Sequence, residues 1–288
     1  MHFKATGAPK QMPAAFFIGK KAISLQSVIV FFIVLFACTL GASSGLGGGI
    51  IIKPLMDAMG GFSAASVNAM SSITILTMTT VSIYKSRYNA RFVDWRMVIF
   101  FTIGSMLGGI AGNQLLANFI AYAADDNVVT IVQSVLQILI VVLVMLHEIF
   151  GDRIPHFHLK NRLAMTLIGV VLGTIAAFLS IGGGIFNRPL LVILLSLSHR
   201  SSVFTSLCII FCAQFADVVT MGVTTHFANV VPSVVPFMMV GAILGGSLGG
   251  SILACMNEKY LDKIFMATLT IILCLNGFNL LRHLFFMA

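Results

Sequence analysis

GLGGGIIIKPLM, Gly45–Met56, decides how the chain is read, because a second copy follows it: SIGGGIFNRPLL, Ser180–Leu191. Gly47, Gly48 and Gly49 match Gly182, Gly183 and Gly184 at a spacing of 135 residues, and Pro54 matches Pro189. A cation precedes each proline, Lys53 in the first copy and Arg188 in the second. Three successive glycines disfavour a helix interior, since each costs about 1 kcal/mol relative to alanine. The proline suits the first turns of a new helix, where its missing N–H matters least. Each copy therefore predicts an apolar helix, a break and a short half-helix. Irregular backbone at membrane depth is tolerated where it is buried in protein or lines a cavity. A half-helix N-terminus also carries partial positive charge. An anion site at the two breaks is the hypothesis that follows.

Working outward, 288 residues with 58% hydrophobic and 9% charged side chains exclude a soluble domain. Apolar runs longer than about 18 residues predict transmembrane helices. The net charge of +8 is gathered into short segments. Lys4, Lys10, Lys20 and Lys21 lie in the N-terminal tail, Lys85, Arg87, Arg91 and Arg96 in a second segment, and Arg153, Lys160 and Arg162 in a third. Together they hold 11 of the 17 basic residues. That is the positive-inside pattern, which places all three segments and the N-terminus in the cytoplasm and argues against nucleic acid as partner. Cys38, Cys208, Cys212, Cys255 and Cys274 all fall in apolar runs and read as buried hydrophobes, not disulfides. Cys208 and Cys212 share a helix face but lack further metal ligands. The N-terminal apolar run is too long for a signal peptide and leads into the glycine motif, so it reads as a retained first helix.

The expected fold is an all-α polytopic membrane protein of two homologous repeats, each with a Gly-rich broken, re-entrant half-helix. The divisions are a basic cytoplasmic tail (1–23), transmembrane repeat 1 (24–150), a cytoplasmic linker (151–162) and transmembrane repeat 2 (163–288). About eight spans are expected in all. The repeat extends past the glycines: Ser66 and Ser71 match Ser201 and Ser206, and IGSMLGGIAGNQL from Ile103 matches VGAILGGSLGGSI from Val240. Four spans per half would give the halves one orientation; a half-helix that completes a span would invert them. The placement of Arg200 outside fits poorly with the first scheme. Gly104, Gly108, Gly109 and Gly112, with Gly241, Gly245, Gly246, Gly249 and Gly250, form small-residue faces for close helix packing.

The paired motifs, each with its proline, resemble the TauE/SafE family of sulfite exporters and organosulfonate permeases, and the resemblance runs through both repeats. It implies a transporter of the plasma membrane, without cofactor, that carries sulfite or a short organosulfonate such as sulfoacetate or sulfolactate. Members of that family commonly have an apolar residue before the proline, so Lys53 and Arg188 depart from the pattern.

An ionisable group at bilayer depth is a functional candidate. If the half-helices meet at the midplane, Lys53 and Arg188 converge on one cavity with Gly47, Gly48, Gly49, Gly182, Gly183 and Gly184. Two cations there suit a dianion; the alternative is that each side chain snorkels to an interface. Asn68, Ser71, Thr205 and Ser206 are candidate donors to substrate oxygens or interhelical hydrogen bonds, and Ser43 and Ser44 share that ambiguity. Asp217, with Gln214 three residues earlier, is either a proton-coupling carboxylate or a counter-ion for the cations. His226 reads as a loop histidine, and His156 and His158 as a solvated pair. No metal site and no catalytic constellation emerges, so an enzyme is not expected. The rivals to a carrier are an anion channel and a non-transporting anion sensor. The partners expected are a small anion and the lipid bilayer, and the apolar outer faces are compatible with a homodimer.

Overall fold

The computed structural model describes residues 20–93, 95–123, 126–150, 161–179, 181, 184–224, 227–228 and 230–286. Gly182, Gly183, Asp125, His156, His158, His226 and most of the 151–162 segment lie outside them, as does the tail before Lys20. Among the described residues ten α-helices follow one another: α1 (Lys20–Ser44), α2 (Gly49–Met59), α3 (Ala64–Ser86), α4 (Trp95–Ala123), α5 (Asp126–Phe150), α6 (Arg162–Phe178), α7 (Gly184–Leu195), α8 (His199–Thr224), α9 (Val235–Cys255) and α10 (Glu258–Phe286). A 3-10 turn, Arg87–Phe92, joins α3 to α4. No strand occurs among the described residues. Among the described residues seven helices (α1, α3, α4, α5, α8, α9 and α10) are long and apolar enough to cross a membrane. The helix α6 has 17 residues, and the half-helices α2 and α7 have 11 and 12. The chain is therefore a polytopic all-helical membrane protein.

Local chemistry sets the boundaries of the half-helices. Gly45 and Gly47 adopt φ of 76° and 77°, a left-handed conformation that a side chain would strain, and their amides turn back onto the Gly41 carbonyl. Gly60, at φ 69°, ends α2, and the Ser63 hydroxyl caps the next helix by accepting the Ser66 amide at 3.2 Å. The two breaks press together at the centre. A β-carbon on Gly184 would stand 2.1 Å from the Leu46 carbonyl oxygen, and one on Gly49 would stand 2.4 Å from Ile75 Cδ1 and 3.3 Å from the Ile181 carbonyl. Around them Cys38, Ile50, Ile52, Met70, Ile185 and Leu207 form the middle of the buried core.

The glycine seams fix the direction of each helix. Gly241, Gly245 and Gly249 climb α1 past Phe31, Leu35 and Thr39, while Gly246 and Gly250 climb α3 past Met78 and Ser82. So α1, α3 and α9 run one way. Gly104, Gly108 and Gly112 follow Thr166, Val170 and Thr174 along α6. Trp95 packs on Phe204 at one end of α4 and α8, and Asn113 bonds Asp217 towards the other. So α4, α6 and α8 run parallel to each other and opposite to α3, whose start meets their ends.

Helices in corresponding places of the two halves thus run in opposite directions. The scheme of equal orientation does not hold, because α2 completes the return of α1 to its starting face. We call the face where α1 begins the near face and the opposite one the far face. The Lys85–Arg96 stretch lies on the far face, so the start of α1 and that stretch cannot share a compartment as expected. Arg200 lies on the far face too, its guanidinium donating to the Met256 carbonyl between α9 and α10. Its poor fit was a product of the wrong orientation.

Candidate functional site

The half-helices begin at the central contact and diverge, and this decides where their cations go. Lys53, one turn into α2, is 4% exposed and donates from Nζ to Gln133 Oε1 of α5 at 2.5 Å. Asp57, one turn further, is its electrostatic partner on the same helix. Gln133 in turn donates through Nε2 to the Phe178 carbonyl at 2.7 Å, and Gln137 does the same to Leu179 at 3.0 Å. Two glutamines on one face of α5 thereby satisfy carbonyls that α6 leaves open at its end. Lys53 and Gln133 form one wall of a cleft of about 190 Å³, with Asn68 and Ser72 of α3, Asn113 of α4, and Asp217 and Thr220 of α8. The starts of α3 and α5 and the ends of α4 and α8 surround it, so it opens towards the near face.

Beneath the cleft lies a cavity of about 20 Å³ that shares Asn68, Ser72, Asn113 and Asp217 with it and adds Ser71, Ile75 and Gln214. Asn113 Nδ2 donates to Asp217 Oδ1 at 2.7 Å. Ser71 Oγ and Gln214 Oε1 are buried and have no hydrogen-bond partner among the described residues.

Arg188 has another setting. It is 1% exposed and stacks its guanidinium over the Phe265 ring at 4.0 Å. Its Nη2 bonds Asp262 Oδ1 of α10, meets His199 Nδ1 of α8 at 3.2 Å and approaches Glu148 of α5 at 3.6 Å. His199 and Asp262 are themselves 2.9 Å apart. The ligand atoms of Glu148, His199 and Asp262 lie within 4.8 Å of one another, a metal-like grouping. Arg188 Nη2 reaches all three, however, so the two carboxylates act as its counter-ions and His199 packs beside them.

The two cations do not converge. Their partners on α5, Gln133 and Glu148, are fifteen residues apart, which is about 22 Å along a helix. Of the residues singled out from sequence, the structure brings Lys53, Asn68, Ser71, Gln214 and Asp217 together around the cleft and the cavity beneath it. It does not bring Arg188 there. Gly47, Gly48, Gly49 and Gly184 line neither space; all four are buried, Gly49 and Gly184 where the breaks touch. Thr205 is buried with no hydroxyl partner among the described residues, and Ser206 donates to the Gly45 carbonyl at 2.6 Å, tying α8 to the first break. Ser43 and Ser44 bond back to Leu40 within their own helix. Asp217 takes its hydrogen bond from Asn113, and Arg188 is committed elsewhere, so Arg188 is not its counter-ion.

Sequence reasoning missed Asn113, Gln133 and Ser72. A signal for Gln133 existed: with Gln137 it puts two amides one turn apart in an otherwise apolar run. Asn113 was hidden in a segment whose glycines explained it by packing alone.

Residues 30–275 match a family model described as Sulfite exporter TauE/SafE. No curated protein and no solved structure matches the chain at a significant level.

Proposed function

The chain belongs to the sulfite exporter TauE/SafE family, and from that premise we propose that it is a secondary transporter of a small sulfur-containing oxyanion that binds beside Lys53. The observation that carries this reading is a buried lysine ammonium in the wall of a polar cleft, with amide and hydroxyl groups of four other helices around it. A cation held at that depth costs about 3 kcal/mol or more, so an unneeded one is not expected to persist. Sulfite, or a short organosulfonate such as sulfoacetate, offers oxygens on several sides of one centre, which suits donors arriving from Lys53, Asn68, Ser72, Asn113 and Gln133. One cation in the cleft favours a monoanion or a partly neutralised dianion over the doubly charged ligand expected of a convergent pair.

Alternating access follows from the inverted arrangement of the halves. The near face carries the cleft. On the far face the same region is filled by Val98, Phe101, Met165, Leu191 and Ile209 and closed by the Arg188 cluster. Repeats of opposite orientation can exchange these two shapes, opening the far face as the near face closes. The half-helices, which meet at the breaks, are the elements that would shift. Asp217 is the carboxylate whose charge must be compensated when an anion enters, which makes it the coupling residue. The far face holds Lys85, Arg87, Arg96, Arg162 and Arg200, so the positive-inside rule makes it cytoplasmic, in the plasma membrane. The start of α1 then lies outside, in place of the cytoplasmic N-terminus expected from sequence.

Proteoliposomes test this directly. Saturable uptake of labelled sulfoacetate or sulfite, accelerated by unlabelled substrate on the other side, identifies a carrier. A flux that neither saturates nor shows counterflow identifies an anion channel. Binding with no flux identifies a sensor, and either of the last two outcomes contradicts the proposal.

A further inference from the structure

The cavity beneath the cleft has a composition unlike the cleft's own. It is about 20 Å³, room for a single water-sized occupant. Lys53 lines the cleft but not this cavity, and among the described residues no other lysine or arginine lines it. What reaches it is oxygen: the Asp217 carboxylate, the Gln214 side chain one turn earlier on α8, the Ser71 hydroxyl and the side-chain amides of Asn68 and Asn113. Asn113 gives one of its two amide N–H groups to Asp217, and its carbonyl remains as an acceptor.

Two of these oxygens stand out. Gln214 is 4% exposed and Ser71 is 3% exposed, yet Gln214 Oε1 and Ser71 Oγ have no partner among the described residues. The contrast within α3 is informative. Thr74, Thr77, Thr79 and Thr80 all turn their hydroxyls back onto carbonyls of the preceding turn, at 2.7 to 2.9 Å. Ser71 has the same option and does not use it. A buried oxygen left without a partner is costly unless something else satisfies it.

We infer that this cavity is a binding site for one dehydrated monovalent cation, sodium in the first instance, formed by Ser71, Gln214 and Asp217 with Asn68 and Asn113. One carboxylate among neutral oxygens matches a single positive charge; the hard divalent ions take more oxygen ligands or keep several waters, and this space admits neither. The inference deepens the transport reading and rests on it for its purpose. A cation on Asp217 compensates that carboxylate directly below Lys53, so an anion entering the cleft meets a more positive site. Ile75, which lines the cavity, also stands against Gly49 at the first break. Occupancy is thereby transmitted to the half-helix that carries Lys53.

The test needs no transport substrate. Purified protein in detergent is titrated with sodium, lithium, potassium or choline chloride at constant ionic strength, with melting temperature and binding of radioactive sodium as readouts. Sodium should raise the melting temperature above the choline baseline in a saturable way. Gln214→Leu and Ser71→Ala should each weaken sodium binding by about tenfold, and Asp217→Asn should abolish it. Gln214→Glu retains an oxygen of similar reach and should retain binding, which separates oxygen chemistry from loss of packing. Equal melting curves in sodium and choline, or sodium binding unchanged in Gln214→Leu and Asp217→Asn, would overturn the inference. Sulfoacetate binding in choline, measured on the same samples up to high concentration, reports the cleft with the cation site empty, so one site can fail while the other stands.

Discussion

Lys53 and Arg188 occupy the same place in the same motif, and the structure uses them for opposite purposes. Lys53 stands at a cleft, held by one amide and by a carboxylate on its own helix. Arg188 is enclosed by two carboxylates, a histidine and an aromatic ring from three other helices. The same divergence recurs one helix later. Ser71 and Ser206 are matched residues, but Ser71 faces a cavity and Ser206 is bonded to the Gly45 carbonyl. In each pair the first-half member lines open space and the second-half member locks the packing. Equivalent sequence in halves that run in opposite directions therefore does not mean equivalent chemistry, because in this structure the cleft opens on the near face.

The comparison is sharpened most by breaking its locked side. Arg188→Ala strands Asp262 and Glu148 beside an apolar ring, and denaturation should report a loss of about 3–4 kcal/mol, towards the low end for buried pairs because Asp262 is 34% exposed. Adding Asp262→Asn to that variant should recover part of the loss. Equal stability of wild type and Arg188→Ala would mean that the far-face cluster locks nothing.

Gly184→Ala probes the contact between the breaks. Its β-carbon would sit 2.1 Å from a backbone oxygen that cannot rotate away, so about 2–3 kcal/mol of destabilisation is expected, with transport lost in the protein that still folds. Asp217→Asn acts on the open side. Concentrative uptake should fall at least tenfold while counterflow persists, since the variant removes the charge that couples the cycle and leaves Lys53 in place. Loss of both activities together would assign Asp217 a structural role. The smallest effect is expected for Ser206→Ala, about 1 kcal/mol of stability with substrate affinity unchanged. A larger effect on affinity than on stability would place Ser206 on the open side after all.

Much of this organisation was legible in the sequence. The doubled GGG motif announced two broken helices, and the glycine spacing in α4 and α9 announced the close seams that now align α6 and α1. Lys53, Asn68, Ser71, Gln214 and Asp217 were picked out as polar residues in apolar runs, and they do lie together. The direction of the halves was not legible, because an 11-residue half-helix can either re-enter or complete a return, and hydropathy does not distinguish the two. The separation of the cations followed from that direction. The glycines of the breaks were expected to offer amides to a ligand, yet at Gly49 and Gly184 the absent side chain serves the contact of one break with the other. The partners of Arg188 come from α5, α8 and α10, too far apart in sequence for any spacing rule to join them.

The central claim is that substrate binds at Lys53 and not between two cations. It is tested most directly by the thermal stabilisation that sulfoacetate and sulfite confer on purified wild type, Lys53→Ala and Arg188→Lys, with sulfate, acetate and chloride as controls. The account predicts a selective rise for a sulfur oxyanion in wild type, its loss in Lys53→Ala and its retention in Arg188→Lys. A rise that survives in Lys53→Ala, or that disappears in Arg188→Lys while the protein remains folded, would contradict it.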